Sequence, residues 1–320
     1  MSLLSVVVPV YNEEETIEHL MTAVQSVLDA EGISFEMIFV DDGSTDGTYE
    51  KIVNLSRSEI NIRGYRFSRN FGKESAVWAG LEKAEGDCVV VMDCDLQHPP
   101  ETLPEFYRLW EQGYEVVEGI KTSRGKESVI KKFLSGVFYG IITFLSGLDM
   151  RASSDFKLLD KSVVKELLRF RERDAFFRGL SYWVGFSRAK VEYVVAPRRF
   201  GSTKWGFFGL VKYAVNNIAG FSTAPLQLIT VAGLILTVLF AGVAVQTLVR
   251  FVNGEAVEGF TTTILLILLV GGGLMTGLGI VGLYIAKIYE EVKARPRFII
   301  SGFTERKTGG RKPGNPEADV

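Results

Sequence analysis

The first hundred residues alternate short apolar runs with longer segments whose apolar residues recur at helical spacing. The runs are rich in β-branched residues and end at turn-forming residues, which is typical of strands. The runs cover 4–10, 35–40, about 61–67 and 88–92, and the helical segments cover 13–30, 45–55 and 73–84. Strands that alternate with helices in this way predict an α/β fold with a doubly wound, mostly parallel, Rossmann-like sheet.

Polar or turn-forming residues follow each of the predicted strands. In doubly wound sheets, ligands bind beyond the carboxyl ends of the strands. The segments that fall on this edge are 9–11, 41–42, 70–73 and 93–97. We therefore expect these four strand ends to converge on one ligand-binding crevice.

Two long apolar runs, 226–249 and 260–286, contain no charged residue. About 20 apolar residues suffice to cross a bilayer core about 30 Å thick, and soluble helices of this length normally carry a polar stripe. The pattern favours two transmembrane helices, in a domain spanning 224–290, over two buried helices of a soluble protein. Basic residues crowd the partly disordered tail predicted over 291–320. The positive-inside rule then places this tail and the domain 1–223 in the cytoplasm.

Two further segments, near 128–147 and 205–222, combine basic residues with an apolar, aromatic body. This composition is typical of amphipathic helices that lie in the membrane interface, and surface helices that pack on the sheet are the alternative. In the second long run Gly273 and Gly277 are four residues apart, a spacing that lets helices approach closely. We expect these glycines to pair helices within the chain or between copies, and we predict a homo-oligomer.

Candidate chemistry centres on residues 93–98, which read Asp-Cys-Asp-Leu-Gln-His directly after an apolar run. If this segment continues the strand, residues 93, 95 and 97 lie on one side and offer oxygen ligands to Mg²⁺ or Mn²⁺. A metal in this place suits a diphosphate, and the alternative is an ordinary acidic turn. The net charge of −2 argues against a general nucleic-acid binder, and the spacing of the two cysteines argues against a zinc site.

Four motifs occur in order along the chain: Val-Pro-Val-Tyr-Asn-Glu at 8–13, Val-Asp-Asp-Gly-Ser-Thr-Asp at 40–46, Arg-Asn-Phe-Gly-Lys at 69–73 and Asp-Cys-Asp-Leu-Gln-His-Pro-Pro at 93–100. With the two predicted spans, they closely resemble the inverting family 2 glycosyltransferases, and among these the polyprenyl-phosphate glycosyltransferases. This group includes dolichol-phosphate mannose synthases and bacterial undecaprenyl-phosphate glucosyltransferases. The resemblance covers residues 4–300. It implies a GT-A fold and a multi-pass protein of the bacterial inner membrane with both termini cytoplasmic.

By this resemblance, each part of a site is assigned to residues of this chain. The nucleotide-sugar would be bound by Pro9, Tyr11, Glu13, Val40, Asp42, Lys73, Asp93 and Lys121. The metal would be held by Asp95 and Gln97, and the lipid phosphate or the diphosphate would be bound by Arg124, Arg198 and Lys204. Catalytic roles fall to Asp93, Asp95 and Asp155, where Asp155 either deprotonates or orients. Lys121 departs from the family, in which arginine is usual, and lacks the bidentate option of a guanidinium.

The implied activity is the metal-dependent transfer, with inversion, of one sugar from a cytosolic nucleotide-sugar to undecaprenyl phosphate. UDP-glucose is the expected donor, while UDP-N-acetylglucosamine, GDP-mannose and a modified pentose stay open. A processive polysaccharide synthase is a rival, although no tryptophan of this chain lies in the Gln-x-x-Arg-Trp motif of such enzymes. A non-catalytic membrane subunit is a second rival, and the intact Asp93 and Asp95 argue against it.

Overall fold

The structure is a computed structural model that describes residues 2–59, 61–123, 154–172, 176–194, 224–253 and 259–304. The chain divides into two compact units. Unit 1 comprises Met1–Gly140, Leu148–Lys204 and Pro296–Val320, and unit 2 comprises Ile141–Gly147 and Trp205–Arg295. The interfacial helices predicted near 128–147 and 205–222 lie outside the described residues.

Unit 1 alternates strands and helices over its first half, as the hydrophobic pattern predicted. Its first elements are β1 Leu4–Val10, α1 Ile17–Ala30, β2 Phe35–Asp41, α2 Thr48–Ser58, β3 Ile62–Phe67, α3 Lys73–Lys83 and β4 Cys88–Val91. They are followed by a 3-10 turn at Pro100–Thr102, α4 Leu103–Glu111, β5 Val116–Ser123, β6 Lys157–Asp160, α5 Lys161–Arg169, α6 Phe177–Trp183, β7 Arg188–Val194 and β8 Ile300–Phe303.

The strands form one eight-stranded sheet in the order β7-β5-β6-β4-β1-β2-β3-β8. β4, β1, β2 and β3 are parallel neighbours, and β5 pairs in parallel with β7, so the mostly parallel sheet is confirmed. β6 and β8 run antiparallel to their neighbours. Neither strand was predicted, because each is short and lacks the continuous apolar run that marks the four-residue β4. β8 lies within residues 291–320, which were predicted to form a basic, partly disordered tail.

The core packs against the central strands, which are buried at every residue of β1, β2 and β4. α1 buries Ile17, Leu20, Val24 and Leu28, the spacing that predicted this helix. α3 lies directly on β1, since an added Cβ on its Gly80 would overlap the side chain of a β1 valine. This close approach fixes the helix that begins at Lys73.

Unit 2 contains two long helices, α7 (Ala224–Val252) and α8 (Phe260–Val292), where the two apolar runs lie. In the described part of the chain one stretch, Leu269–Val292, is long and apolar enough to cross a membrane, and a shorter apolar stretch covers Ile229–Val243. An added Cβ on Gly277 of α8 would lie 3.3 Å from an isoleucine side chain of α7. The expected close approach at this glycine is therefore present within the chain, while membrane crossings by α7 and α8 stay predictions.

Candidate functional site

The segments after β1 and β2 meet at the carboxyl edge of the sheet, as the sequence predicted. Pro9 and Val40 are partners in the register of these strands, and both residues are buried. Beyond them Asn12, in a left-handed conformation with φ 54°, accepts the N–H of Thr45 on its Oδ1 at 2.9 Å. Tyr11 is 37% exposed, so an aromatic surface faces solvent at this edge.

Asp42, directly after β2, anchors the loop that follows β3. Its carboxylate accepts the Phe71 N–H at 2.6 Å and the Gly72 N–H at 3.0 Å. The residue is buried, and this burial raises the pKa of its carboxyl group to about 6 although the two amide hydrogen bonds oppose the shift. The sequence suggested a nucleoside contact for Asp42 and did not indicate that this carboxylate holds the loop leading to Lys73.

Gly43 lies where the turn after β2 passes close to the loop backbone at Arg69 and Asn70. Its φ is +71°, and an added Cβ would lie only 2.6 Å from the Arg69 carbonyl carbon. Left-handed strain and backbone overlap should therefore combine in a Gly43→Ala variant. We expect it to lower the free energy of unfolding by about 2–4 kcal/mol in a thermal or denaturant titration.

Gly32 provides the matched control for this prediction. Its φ is +66°, and no atom of the described residues lies within 4 Å of an added Cβ, so a Gly32→Ala variant carries the same strain without the overlap. It should lose only about 1–2 kcal/mol. Equal losses in the two variants would contradict the close approach at Gly43.

The acidic motif after β4 forms a turn and does not continue the strand. β4 ends at Val91, Leu96 has a left-handed φ of 57°, and the Gln97 N–H donates to Asp95 Oδ1 at 3.1 Å. The expectation that residues 93, 95 and 97 alternate along an extended chain was wrong, because the Asp95 carboxylate captures a backbone amide two residues ahead. The turn nevertheless keeps these oxygen-bearing side chains at the end of β4.

Cys94 is packed into the core beside the loop that follows β1. Its Sγ lies 3.3 Å from Thr16 Oγ1, and the same hydroxyl lies 2.8 Å from Glu13 Oε2. Burial raises the pKa of the Cys94 thiol to about 12, so the sulfur stays protonated. Cys94 is therefore a packing residue, and its contacts place Glu13 beside the acidic turn.

Lys73 bridges two carboxylates from separate parts of the chain. Its Nζ lies 2.6 Å from Asp93 Oδ1 and 3.0 Å from Asp155 Oδ2. Arg178, near the start of α6, contacts the other oxygen of Asp155 through Nε at 3.1 Å and Nη2 at 3.0 Å. We call these four residues the Lys73 cluster. It joins Lys73, Asp93 and Asp155, which were predicted as separate site residues. It also adds Arg178, which no sequence motif had indicated.

The Lys73 cluster keeps its members charged. Burial alone would raise the pKa of Asp155, but the Lys73 ammonium and the Arg178 guanidinium outweigh it and hold that pKa well below its usual range. Burial likewise opposes ionisation of Asp93, yet Lys73 lowers the pKa of this carboxyl group. The neighbouring Glu74 differs, because burial and the charge of Asp155 raise its pKa to about 7. Its carboxylate accepts the first N–H of α6 at 2.9 Å.

His98 connects the acidic turn to the segment that carries Asp155. The Asp93 N–H donates to His98 Nδ1 at 3.1 Å, and the imidazole stacks on Phe156 with ring centroids 4.8 Å apart. Burial lowers the pKa of His98, so the ring is neutral with Nδ1 as the acceptor. Sequence reasoning had given His98 no role, although its place at the end of the acidic motif was a signal.

Comparison with known proteins identifies the family. The model of Glycosyl transferase family 2 matches residues 5–168 of the chain, a range that contains all the strand ends described above. An uncharacterized glycosyltransferase of Synechocystis sp. is 37% identical over 300 residues, which are 93% of this chain and 94% of that protein. The chain belongs to glycosyltransferase family 2.

Other family 2 relatives align with this chain over a similar share of its length. The bactoprenol glucosyl transferase of Shigella phage SfV is 36% identical over 93% of this chain and 97% of its own length. Among solved structures, glucosyl-3-phosphoglycerate synthase from Mycobacterium tuberculosis in complex with Mn²⁺ and UDP-glucose is 24% identical, with a TM-score of 0.48. That match covers 68% of this chain and 77% of the other. The curated relatives thus align along almost the whole of both chains.

The donor set at the acidic turn of this family 2 chain suits a divalent cation. Asp93, Asp95 and Gln97 carry the oxygen ligands that Mg²⁺ and Mn²⁺ prefer. Among the residues that the structure describes, no group of three or more His, Cys, Asp or Glu is arranged to hold a metal. Mg²⁺ is often bound through one or two carboxylates, with substrate phosphates completing its coordination. Because Lys73 holds one oxygen of Asp93, we retain Asp95 and Gln97 as the expected ligands.

The remaining predicted binding residues of this family 2 chain are Lys121 for the nucleotide-sugar and three basic residues for the lipid phosphate or the diphosphate. Lys121 is exposed near the end of β5. Burial is the main cause of the lowered pKa of His98, and the positive charges of Lys73 and Lys121 lower it further. Arg124, Arg198 and Lys204 lie outside the described residues, and their roles stay predictions.

Proposed function

We propose that this family 2 glycosyltransferase transfers a glucosyl residue from UDP-glucose to undecaprenyl phosphate. The observation that carries the proposal is the convergence of Asp93 and Asp155 on Lys73 beside the acidic turn. This convergence lies at the edge of the sheet where nucleotides bind in such folds. Relatives named bactoprenol glucosyl transferase, which match nearly the whole chain, support both the sugar and the lipid acceptor.

The donor would lie across the ends of β1, β2 and β4. Tyr11 offers an aromatic face to the base or the ribose, and Glu13 accepts hydrogen bonds from ribose hydroxyls. Asp42 shares its carboxylate between the loop amides and the imide N–H of uracil. A divalent cation, when held by Asp95 and Gln97, supplies positive charge to the departing diphosphate.

The reaction forms a bond from an oxygen of the lipid phosphate to the anomeric carbon and breaks the bond from that carbon to UDP. Attack opposite the leaving group inverts the anomeric centre. A phosphate monoester is largely dianionic at neutral pH and needs no strong base to make it nucleophilic. Asp155 then orients Lys73 and Arg178, which neutralise phosphate charge, and does not remove a proton.

The lipid acceptor implies a membrane location. In this proposal α7 and α8 both cross the bacterial inner membrane, and the sheet and both termini are cytoplasmic. The segments near 128–147 and 205–222 lie in the interface. Arg124, Arg198 and Lys204 meet the lipid phosphate or the diphosphate, since basic side chains at the headgroup level bind such anions. The glycine-rich α8 would join copies in a homo-oligomer.

The test is a transfer assay with the purified full chain in lipid nanodiscs. The protein is incubated with undecaprenyl phosphate, Mg²⁺ or Mn²⁺, and radiolabelled UDP-glucose, UDP-N-acetylglucosamine, GDP-mannose or a nucleotide-linked pentose. We expect label from UDP-glucose in the lipid fraction, with loss of transfer in EDTA and a β-linked product by NMR. Labelling from another donor alone would overturn the choice of glucose. Label in a long polymer, or no labelled lipid with any donor, would overturn the proposed reaction.

A further inference from the structure

After α8 the chain returns to unit 1 and closes one edge of the sheet. We call residues 297–304 the C-terminal segment. Its strand β8 pairs with β3, and its backbone extends the pairing at both ends. The Ser68 N–H donates to the Ile299 carbonyl at 3.0 Å, and the Thr304 N–H donates to the Gly64 carbonyl at 2.9 Å. The segment thus covers β3, the strand that leads into the loop before Lys73.

A line of aromatic rings runs from the C-terminal segment to this loop. Phe298 stacks on Phe67, the last residue of β3, with centroids 5.1 Å apart and planes at 12°. Phe67 in turn meets Phe71 edge to face, with centroids 5.7 Å apart. Phe71 donates its N–H to Asp42, and Lys73 follows two residues later. Two ring contacts therefore separate Phe298 from the loop that delivers the Lys73 ammonium.

A second contact reaches α3 itself. The guanidinium of Arg297 lies over the ring of Trp78, 4.6 Å from its centroid. It also donates a hydrogen bond to the Phe170 carbonyl after α5. Trp78 is only 2% exposed and lies in α3, the helix whose first residue is Lys73. The C-terminal segment therefore contacts both the loop before Lys73 and the helix after it.

We propose that Phe298 is a positioning residue for the donor site. Its ring, through Phe67, sets the place of Phe71 and so of Lys73, which holds Asp93 at the acidic turn. This deepens the proposed function and rests on it, because the donor site is the one assigned above. Without the Phe298 ring, Phe67 loses its stacking partner and holds Phe71 less firmly, and Lys73 meets Asp93 less often. Donor binding then weakens, while Asp155 still pairs with Lys73 and Arg178, so the chemical step is largely retained.

Phe298→Ala and Phe303→Ala in the full chain test the proposal. Phe303 lies on the same segment and is 66% exposed, so its variant removes the same ring without touching Phe67. An aromatic pair is worth about 0.5–1.5 kcal/mol, so Phe298→Ala should raise the KM for UDP-glucose about two- to tenfold. Its kcat should change less than its KM. Phe303→Ala should leave both constants near wild type, and Phe298→Tyr, which keeps the ring, should restore the KM.

Hydrogen exchange supplies a readout that does not depend on activity. Peptides covering residues 69–73 should exchange faster in Phe298→Ala than in wild type, and Phe303→Ala should match wild type. If Phe298→Ala does not fold, Phe298→Leu keeps apolar volume without the ring and replaces it in both measurements. Unchanged exchange in 69–73, or equal KM values for the variants at 298 and 303, would overturn the positioning role. A wild-type chain that transfers no sugar would defeat the proposed function alone, because the exchange comparison would still decide the role of Phe298.

Discussion

An Asp95→Asn variant should lose sugar transfer, with kcat lowered about 10³-fold, because the divalent cation that stabilises the departing diphosphate contributes several kcal/mol. Asparagine keeps an oxygen that can accept the Gln97 N–H, so the acidic turn should persist. The variant removes only the negative charge offered to the metal. The measurement is kcat at saturating UDP-glucose over a range of Mn²⁺ concentrations, with thermal unfolding to establish that the chain is folded.

Glu101→Gln is the matched control for Asp95→Asn. Glu101 is an exposed carboxylate in the 3-10 turn shortly after the acidic motif, so its variant removes the same charge outside the site. We expect a kcat within about twofold of wild type, because salt screens the effect of an exposed charge that lies outside the site. Retention of more than a tenth of the wild-type kcat in Asp95→Asn would argue that Asp95 holds no metal.

An Asp155→Asn variant should lower kcat about 10²-fold, which is the cost expected when a reacting group is displaced by about 1 Å. The neutral amide leaves the Lys73 ammonium and the Arg178 guanidinium side by side without their shared counter-ion. The two cations should then separate and lose the geometry that neutralises phosphate. Asp29→Asn, at an exposed carboxylate of α1, is the control and should keep wild-type kcat.

The pH profile separates an orienting Asp155 from a catalytic base. Lys73 and Arg178 hold the pKa of Asp155 well below its usual range, against the effect of burial, so Asp155 stays ionised across the assay range. The wild-type rate should still fall as the pH drops below about 6, where the acceptor phosphate takes up its second proton. Asp155→Asn should show the same acid limb under a lower plateau. Disappearance of that limb in the variant would mean that Asp155 is the titrating base.

The sequence located the candidate site better than it described its geometry. Strand runs and helical spacing were enough to place Asp42, Lys73 and Asp93 at one edge of a parallel sheet, and the structure brings Lys73 and Asp93 together there. The extended geometry expected for 93–97 was wrong because a side-chain hydrogen bond to the backbone redirected the chain. A side chain that hydrogen-bonds to the nearby backbone does not alter the hydrophobic pattern of the sequence, so that pattern could not predict the turn.

The sequence alone determined the order of strands and helices in the first half of the chain, the strand ends that carry the polar residues, and the two long apolar helices. These features follow from periodicity within a single segment, which a chain shows without its partners. Only the tertiary structure decided that Lys73 joins Asp93 to Asp155, that Arg178 and His98 support them, and that β8 closes the sheet beside β3. Each of these contacts, except the hydrogen bond from the Asp93 amide to His98, joins separate elements of the fold. Their geometry depends on how the segments pack, which no local pattern encodes.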